Sequence, residues 1–251
     1  PATLTEQQAQ EILELQALGY VSGSTPATSS LGVTQYQADK AAPGVNFYTS
    51  GHGPEATLID MEGKVLHTWS KSFEQAFPGR RLPKKQQGIH HWRRAILLAD
   101  GGVIAIFEGH GIIRLDKDSE LVWVNPTRAH HDAHVLPDGS IYTLTRIAHM
   151  IPEVNPDHAV LEDFIIVLDG QTGKERSRVS MLRAFEDSEF RQIWQSSPRR
   201  KGDLMHTNAI EVLDGRLAEH NPAFAAGRVM ISSRTMDALA VVDLELGKVV
   251  W

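Results

Sequence analysis

Twelve histidines lie in a chain of 251 residues that has no cysteine. Several fall together: His90-His91, His130-His131 with His134, and His206. Imidazole can act as a nucleophile, shuttle a proton or donate to an anion, so three segments draw attention. The first is His130-His131-Asp132-Ala133-His134, running into Leu136-Pro137-Asp138-Gly139. Strand alternation puts His130, Asp132 and His134 on one side and His131 and Ala133 on the other. The second is Asp203-Leu204-Met205-His206-Thr207-Asn208, where His206 and Asn208 share a side. The third is Ser232-Ser233-Arg234, with Asp237 nearby as an alternative surface partner for the arginine. An Arg fork with Asn and His N–H groups suits an oxyanion such as sulfate or phosphate. His131, His206, Asn208 and Arg234 are therefore the candidate reacting set, with His130 and His134 as substrate contacts. His52 and Glu55, in a glycine-rich segment, are further candidate contacts. A zinc site from His130 and His134 would need helical spacing, but this stretch reads as strand, so no metal is expected. His90-His91 reads as an edge loop.

The elements that position these residues are short hairpins. Leu58-Ile59-Asp60 leads through Glu62-Gly63-Lys64 to His67-Thr68-Trp69. Ile113-Arg114-Leu115-Asp116 leads to Leu121-Val122-Trp123. Ile166-Val167-Leu168-Asp169 leads through Gly173-Lys174, and Val241-Val242-Asp243 leads through Gly247-Lys248 to Trp251. Asp bonds the turn backbone and Gly supplies positive φ. A second hairpin precedes each of the last three, at Asp100-Gly101, Asp138-Gly139 and Asp214-Gly215. Two hairpins make a four-stranded blade, and units recur about every 50 residues, which is the mark of an all-β β-propeller. About four blades are legible over residues 32–251, against a β-sandwich as the alternative. Inner strands of successive blades start near the central channel, so equivalent positions converge there. Trp69, Trp123 and Trp251 are expected to pack between blades, with longer insertions between blades at 70–92, 146–162 and 181–205.

Ahead of the blades, residues 4–17 read as a helix with Thr5 and Gln8 at capping-box spacing and Gly19 as its stop. Residues 22–31 read as a linker, so 1–31 form a separate N-terminal unit. This helix fits docking to another subunit, following a membrane anchor upstream of Pro1, or a plain surface helix. Net charge is −6, which provides no footprint for nucleic acid. The basic clusters Arg80–Lys85 and Arg199–Lys201 read as solvated loops. Without cysteine there are no disulfides, thiol nucleophiles or thiolate metal ligands. No apolar run is long enough to span a bilayer and no signal peptide is visible. The opening at Pro1 rather than Met fits a mature chain or the ordered part of a longer one.

Taken together, His130-His131-Asp132 with Leu136-Pro137-Asp138-Gly139, His206-x-Asn208 and Ser232-Ser233-Arg234 resemble the bacterial arylsulfotransferases. Tyr48-Thr49-Ser50-Gly51 and Leu58 to Trp69 resemble their opening blade, so the match runs over about residues 45–251. The resemblance implies a periplasmic propeller of about six blades, sometimes membrane-anchored. It implies transfer of a sulfuryl group from a phenolic ester to a phenol, with no cofactor or nucleotide donor. His131 (or His130), His206, Asn208 and Arg234 match positions that bind and polarise the sulfuryl group. The histidine that carries sulfate is implied in a blade later than Arg234, whereas this chain ends at Trp251. Its blade is expected in a continuation or in a partner polypeptide. Two other readings compete: a non-catalytic binding or scaffold propeller, with a partner held by the N-terminal helix or the missing blades, and a quinone-dependent dehydrogenase. The absence of cysteine and of an acidic calcium cluster argues against the last.

Overall fold

The computed structural model describes residues 4–19, 32–80, 88–197 and 200–251. The linker expected at 22–31 lies outside them. Helix α1 (Glu6–Gln16) precedes four antiparallel sheets in a propeller arrangement. The first sheet has three strands, β1 (Asn46–Thr49), β2 (Glu55–Ile59) and β3 (Val65–Ser70), and is followed by α2 (Phe73–Ala76). The second holds β4 (Arg94–Leu97), β5 (Val103–Phe107), β6 (Gly111–Leu115) and β7 (Leu121–Asn125). The third holds β8 (Ala129–Val135), β9 (Ile141–Ile151), β10 (Asn155–Leu168) and β11 (Glu175–Ser180). Helices α3 (Met181–Glu186) and α4 (Arg191–Ser196) follow, then β12 (Gly202–Asp203), which pairs parallel to β10. The fourth holds β13 (Thr207–Val212), β14 (Val229–Ser233), β15 (Ala238–Asp243) and β16 (Lys248–Val249).

The repeated aspartates shape the hairpins as the sequence suggests. Asp60 Oδ1 accepts from Glu62 and Lys64 N–H, and Asp116 Oδ1 from Asp118 and Glu120. Asp169 and Asp243 do the same for the two residues that open their turns. Each carboxylate thus satisfies backbone donors that the ladder leaves unpaired.

Strand β5 shows how neighbouring blades share a core. All five of its residues, Val-Ile-Ala-Ile-Phe, are buried. Val103, Ala105 and Phe107 pack with Trp69, Phe73, Phe77 and Trp92 toward the first sheet. Ile104 and Ile106 pack with Trp123, Ala133, Ile141 and Ile166 toward the third. Period-two alternation therefore feeds two inter-blade cores, and the strand has no polar face. Tryptophans fasten these seams: Trp69 Nε1 donates to Gly101 O and Trp123 Nε1 to Gly170 O, each at 3.0 Å. Both acceptors sit in turns of the next sheet. Trp251, expected to do likewise, is 42% exposed and stacks edge-on against Phe224.

Three other expectations are corrected. Residues 146–162 are not an insertion between blades but the extension of the β9–β10 hairpin within the third. The helix ends at Ala17, before Gly19, with its capping box formed as read from Thr5 and Gln8. Arg80 is not a solvated loop residue: it is partly buried over the Phe77 ring and donates to His110 O at 2.8 Å.

Helix α1 does not stand away from the blades but lies on the third. Glu11 accepts from Ala159 N–H at 3.0 Å and meets His158 Nδ1 at 2.9 Å. Arg128 donates to Gln16 O at 3.1 Å, and Arg146 donates to Leu18 O. Carbonyls at a helix C-terminus carry partial negative charge, which suits two guanidinium groups. Among the described residues no helix is long and apolar enough to cross a membrane.

Gly173 has φ +68, and a Cβ there would lie 2.5 Å from Trp123. Gly139 has φ +85 with nothing within 4 Å. Urea denaturation should show Gly173→Ala losing roughly 2 to 3 kcal/mol through strain plus overpacking. Gly139→Ala should lose only the conformational part, about 1 kcal/mol. Equal losses would mean that the indole does not seat on this turn.

Candidate functional site

The site is built on two irregularities of backbone. His131 has φ 55 and His206 has φ 49, left-handed values that a side chain with a Cβ adopts at a cost. The first coincides with a register shift between His130 and Ala133 in β8, the second lies beside one between Thr207 and Ala209 in β13. Bulges re-aim side chains next to functional sites. Here the bulge overturns simple alternation: His130 and His131 do not point apart, and their Nδ1 atoms lie 2.9 Å from each other. The His131 and His206 rings meet edge to face with centroids 5.2 Å apart. Imidazoles from β8 and from the start of β13 thus converge, as expected of equivalent positions in successive blades.

Buried carboxylates hold them. Glu108, just after β5, accepts from His131 N–H at 2.9 Å through Oε2, and its Oε1 lies 3.6 Å from His131 Nδ1. Asp163 in β10 accepts from Thr207 N–H at 2.8 Å, with Oδ1 3.6 Å from His130 Nε2. Asp203 accepts from His206 N–H at 3.0 Å and approaches His206 Nδ1 at 2.6 Å. Opposite Asp163 in the β9–β10 register stands Arg146, only 2% exposed. Burial pushes the Glu108 carboxyl above its usual range. Burial also raises Asp163, and the Asp203 carboxylate adds to the effect. His130 is held well below the ordinary histidine value, first by burial and then by Arg146. His131 falls to about 3 through burial, with Arg93 adding to it. Both imidazoles of the pair are consequently neutral near pH 7, each with one N–H to give and one lone pair to share.

The other candidate residues are placed as follows. Asn208 is half-buried within the β13 bulge. Arg234 follows β14, where its N–H donates to His206 O at 3.2 Å while its side chain is exposed. Its backbone is thereby tied to the site. No ion pair with Asp237 or any other described residue is formed. His134 is half-buried and its Nδ1 accepts from Val212 N–H at 3.3 Å. It lines a cleft of about 350 Å³ with Arg94, Asp132, Ala209 and Ser232. His52 and Glu55 pair with each other at 2.8 Å, and His52 is exposed. No bond joins this pair to the histidine cluster among the described residues. A larger cavity of about 630 Å³ lies between α1 and the third blade. It is lined by Glu11, Leu15, His158, Arg200 and Lys201, and reaches Asp203.

Sequence reasoning missed Glu108, Arg146 and Asp163. The available signal was a charge set among strand residues: Glu108 straight after Val-Ile-Ala-Ile-Phe, Asp163 between Leu161-Glu162 and Phe164, Arg146 after Thr143-Leu144-Thr145. A charged residue in such company is buried only when it has partners.

Four antiparallel sheets in a propeller arrangement, with buried polar groups of the second, third and fourth meeting around His131, define a β-propeller. Residues 94–251 match the model of the arylsulfotransferase (ASST) family, and the chain belongs to that family. The match begins at β4, so the resemblance seen in the first sheet lies outside it. No curated protein shows a significant sequence match. Among solved structures the chain is similar to BamB from Moraxella catarrhalis, at 15% identity and a TM-score of 0.42, covering 82% of this chain and 48% of that one. It is also similar to the quinohemoprotein alcohol dehydrogenase of Comamonas testosteroni, at 15% identity and a TM-score of 0.44, covering 83% and 33%. A third is the glutaminyl cyclase of Myxococcus xanthus, at 16% identity and a TM-score of 0.37, covering 82% and 75%. The chain spans about half the length of the first of these and a third of the second. Likenesses this distant say nothing about the site.

The left-handed backbone at His131 gives a direct measurement. His131→Gly and His131→Ala both remove the ring, but only Gly relieves the strain. In urea denaturation the Gly variant should be more stable than the Ala variant by about 1 kcal/mol. The reverse order would show that His131 is not held at positive φ.

Proposed function

We infer that this chain forms the sulfuryl-binding side of an arylsulfotransferase site, in an exported, periplasmic protein. The observation that carries it is the meeting of His131 and His206, from successive blades, in a chain whose family is arylsulfotransferase. Strained backbone maintained at two such positions is the kind of cost that functional sites retain. Each histidine ring is oriented through Nδ1, that of His206 by the Asp203 carboxylate and that of His131 by His130 Nδ1, while Glu108 holds the His131 backbone. Such orientation fixes which ring nitrogen faces the substrate.

In this reading an aryl sulfate binds with its sulfuryl oxygens toward the N–H groups of His131, His206 and Asn208, and Arg234 swings in from the rim. Transfer breaks the S–O bond to the phenol, which leaves as phenolate. The sulfuryl group passes to a histidine nitrogen carried by a later blade of the whole protein. An acceptor phenol then takes it from that nitrogen and gives up its proton, which balances the proton taken up by the released phenolate, returning the histidine unchanged. Charge grows on the leaving phenolate oxygen in the first step, while the sulfuryl oxygens keep the negative charge of the group. Donors fixed in advance around those atoms lower the barrier. The substrates are a phenolic sulfate ester and a phenol, and no nucleotide or redox cofactor takes part.

The test is release of para-nitrophenol from para-nitrophenyl sulfate by the full-length protein, with a phenol acceptor present. Removing one positioned donor costs about 100-fold or more in such sites. His206→Ala and Asn208→Ala should each lower kcat/KM by about that factor. Turnover that is absent, or untouched by both substitutions, would move the assignment to a binding propeller.

A further inference from the structure

We propose that Glu108, His130 and His131 form a binding site for one divalent cation of the zinc class. One ligand atom from each residue lies within 4.8 Å of the others, and all three residues are buried. The two Nδ1 atoms are 2.9 Å apart, and His131 Nδ1 stands 3.6 Å from Glu108 Oε1. A tetrahedral ion with bonds of about 2.0 to 2.1 Å needs ligand atoms about 3.4 Å apart, so these two separations bracket the requirement. The chemistry is also that of zinc, with two imidazoles and one carboxylate. A fourth position would remain for water or a substrate oxygen.

The carboxylate is set up for this. Glu108 Oε2 is occupied by His131 N–H, and Arg93 approaches it from the solvent side at 3.8 Å. That leaves Oε1, on a residue 1% exposed, without a hydrogen-bond partner among the described residues. A buried acceptor in that condition is costly unless something fills it. An outer layer exists as well: His130 turns Nε2 toward Asp163 Oδ1 at 3.6 Å, and Asp163 is itself anchored by Thr207 N–H. Metal-bound imidazoles are commonly oriented by such a carboxylate on the far nitrogen.

The bulge acquires a second meaning here. Neighbouring residues of a regular strand cannot offer ligands to one ion, because they point to opposite faces. The left-handed turn at His131 lets His130 and His131 do so. With Nδ1 on the cation, His131 would still present its Nε2–H to a sulfuryl oxygen, so this site and the transfer reading are compatible. Neither depends on the other.

The experiment uses full-length protein stripped with a chelator and dialysed. Zinc titration by calorimetry should give one ion per chain, and cobalt loading should give the visible spectrum of a four-coordinate nitrogen–oxygen site. Glu108→Gln and His130→Gln should abolish both signals. Asp163→Asn, which touches no metal position, should weaken zinc binding about 10- to 100-fold. Circular dichroism checks that each variant is folded, and if the ligand variants unfold, the wild-type stoichiometry and cobalt spectrum decide. No zinc uptake by the stripped wild type, a six-coordinate cobalt spectrum, or uptake unchanged in folded Glu108→Gln would overturn the proposal. Since no readout uses turnover, the site can stand or fall separately from sulfuryl transfer.

Discussion

The blades of this propeller are joined by apolar seams, but around the histidine cluster the joining is done by carboxylates that accept backbone N–H groups from another sheet. Glu108 of the second sheet takes the N–H of His131 in the third. Asp163 of the third takes the N–H of Thr207 in the fourth, and Asp132 accepts from Ile210 N–H at 3.3 Å. Hydrogen bonds to an ionised or buried carboxylate are stronger than neutral ones, and breaking one strands a buried polar group. Successive sheets are therefore fixed in register at the point where the candidate chemistry sits. The same carboxylates surround the histidines, so the groups that hold the sheets together are the groups that set the electrostatics of the pocket. Stability and function cannot be varied independently there.

That coupling explains an otherwise odd arrangement. A core made for stability would replace Glu108, Asp163 and Arg146 with aliphatic residues, since buried ion pairs rarely repay their desolvation. Instead the chain keeps three buried acids, a buried guanidinium and two neutral imidazoles within one region. It also keeps two left-handed residues where regular strand would be easier. Both are departures from local optima. They coincide in space, and they fall within the part of the chain matched to the arylsulfotransferase family.

Much of the fold was legible because its signal is local. Asp60, Asp116, Asp169 and Asp243 bond turn backbone within four residues of themselves, so the hairpins could be read from spacing alone. The capping box of α1 is equally local. What failed depended on distance. The β9–β10 extension reads as an insertion between blades because its strands are stabilised by β12 and α1, which are remote in sequence. The facing of His130 and His131 was misjudged because a bulge has no compositional mark when its left-handed residue is not glycine. His206 could be picked out from residue type, and it lies against His131. Glu108, Arg146 and Asp163 leave only the weaker mark of charge within apolar strand runs, because their roles arise when three sheets meet.

The seat of α1 carries a consequence for how the molecule comes to be. Glu11 bonds residues 158 and 159, at a sequence separation of 147 and 148. Arg146, which donates to Leu18 O, is separated from it by 128. During synthesis the helix leaves the ribosome ahead of its landing surface, which is made only after the first two sheets have been completed. Closing so long a loop is slow compared with forming a hairpin. An isolated helix of 11 residues is also marginal in water. A segment made before the blades thus takes its place late, laid across the third blade once the arginines beneath it are in position.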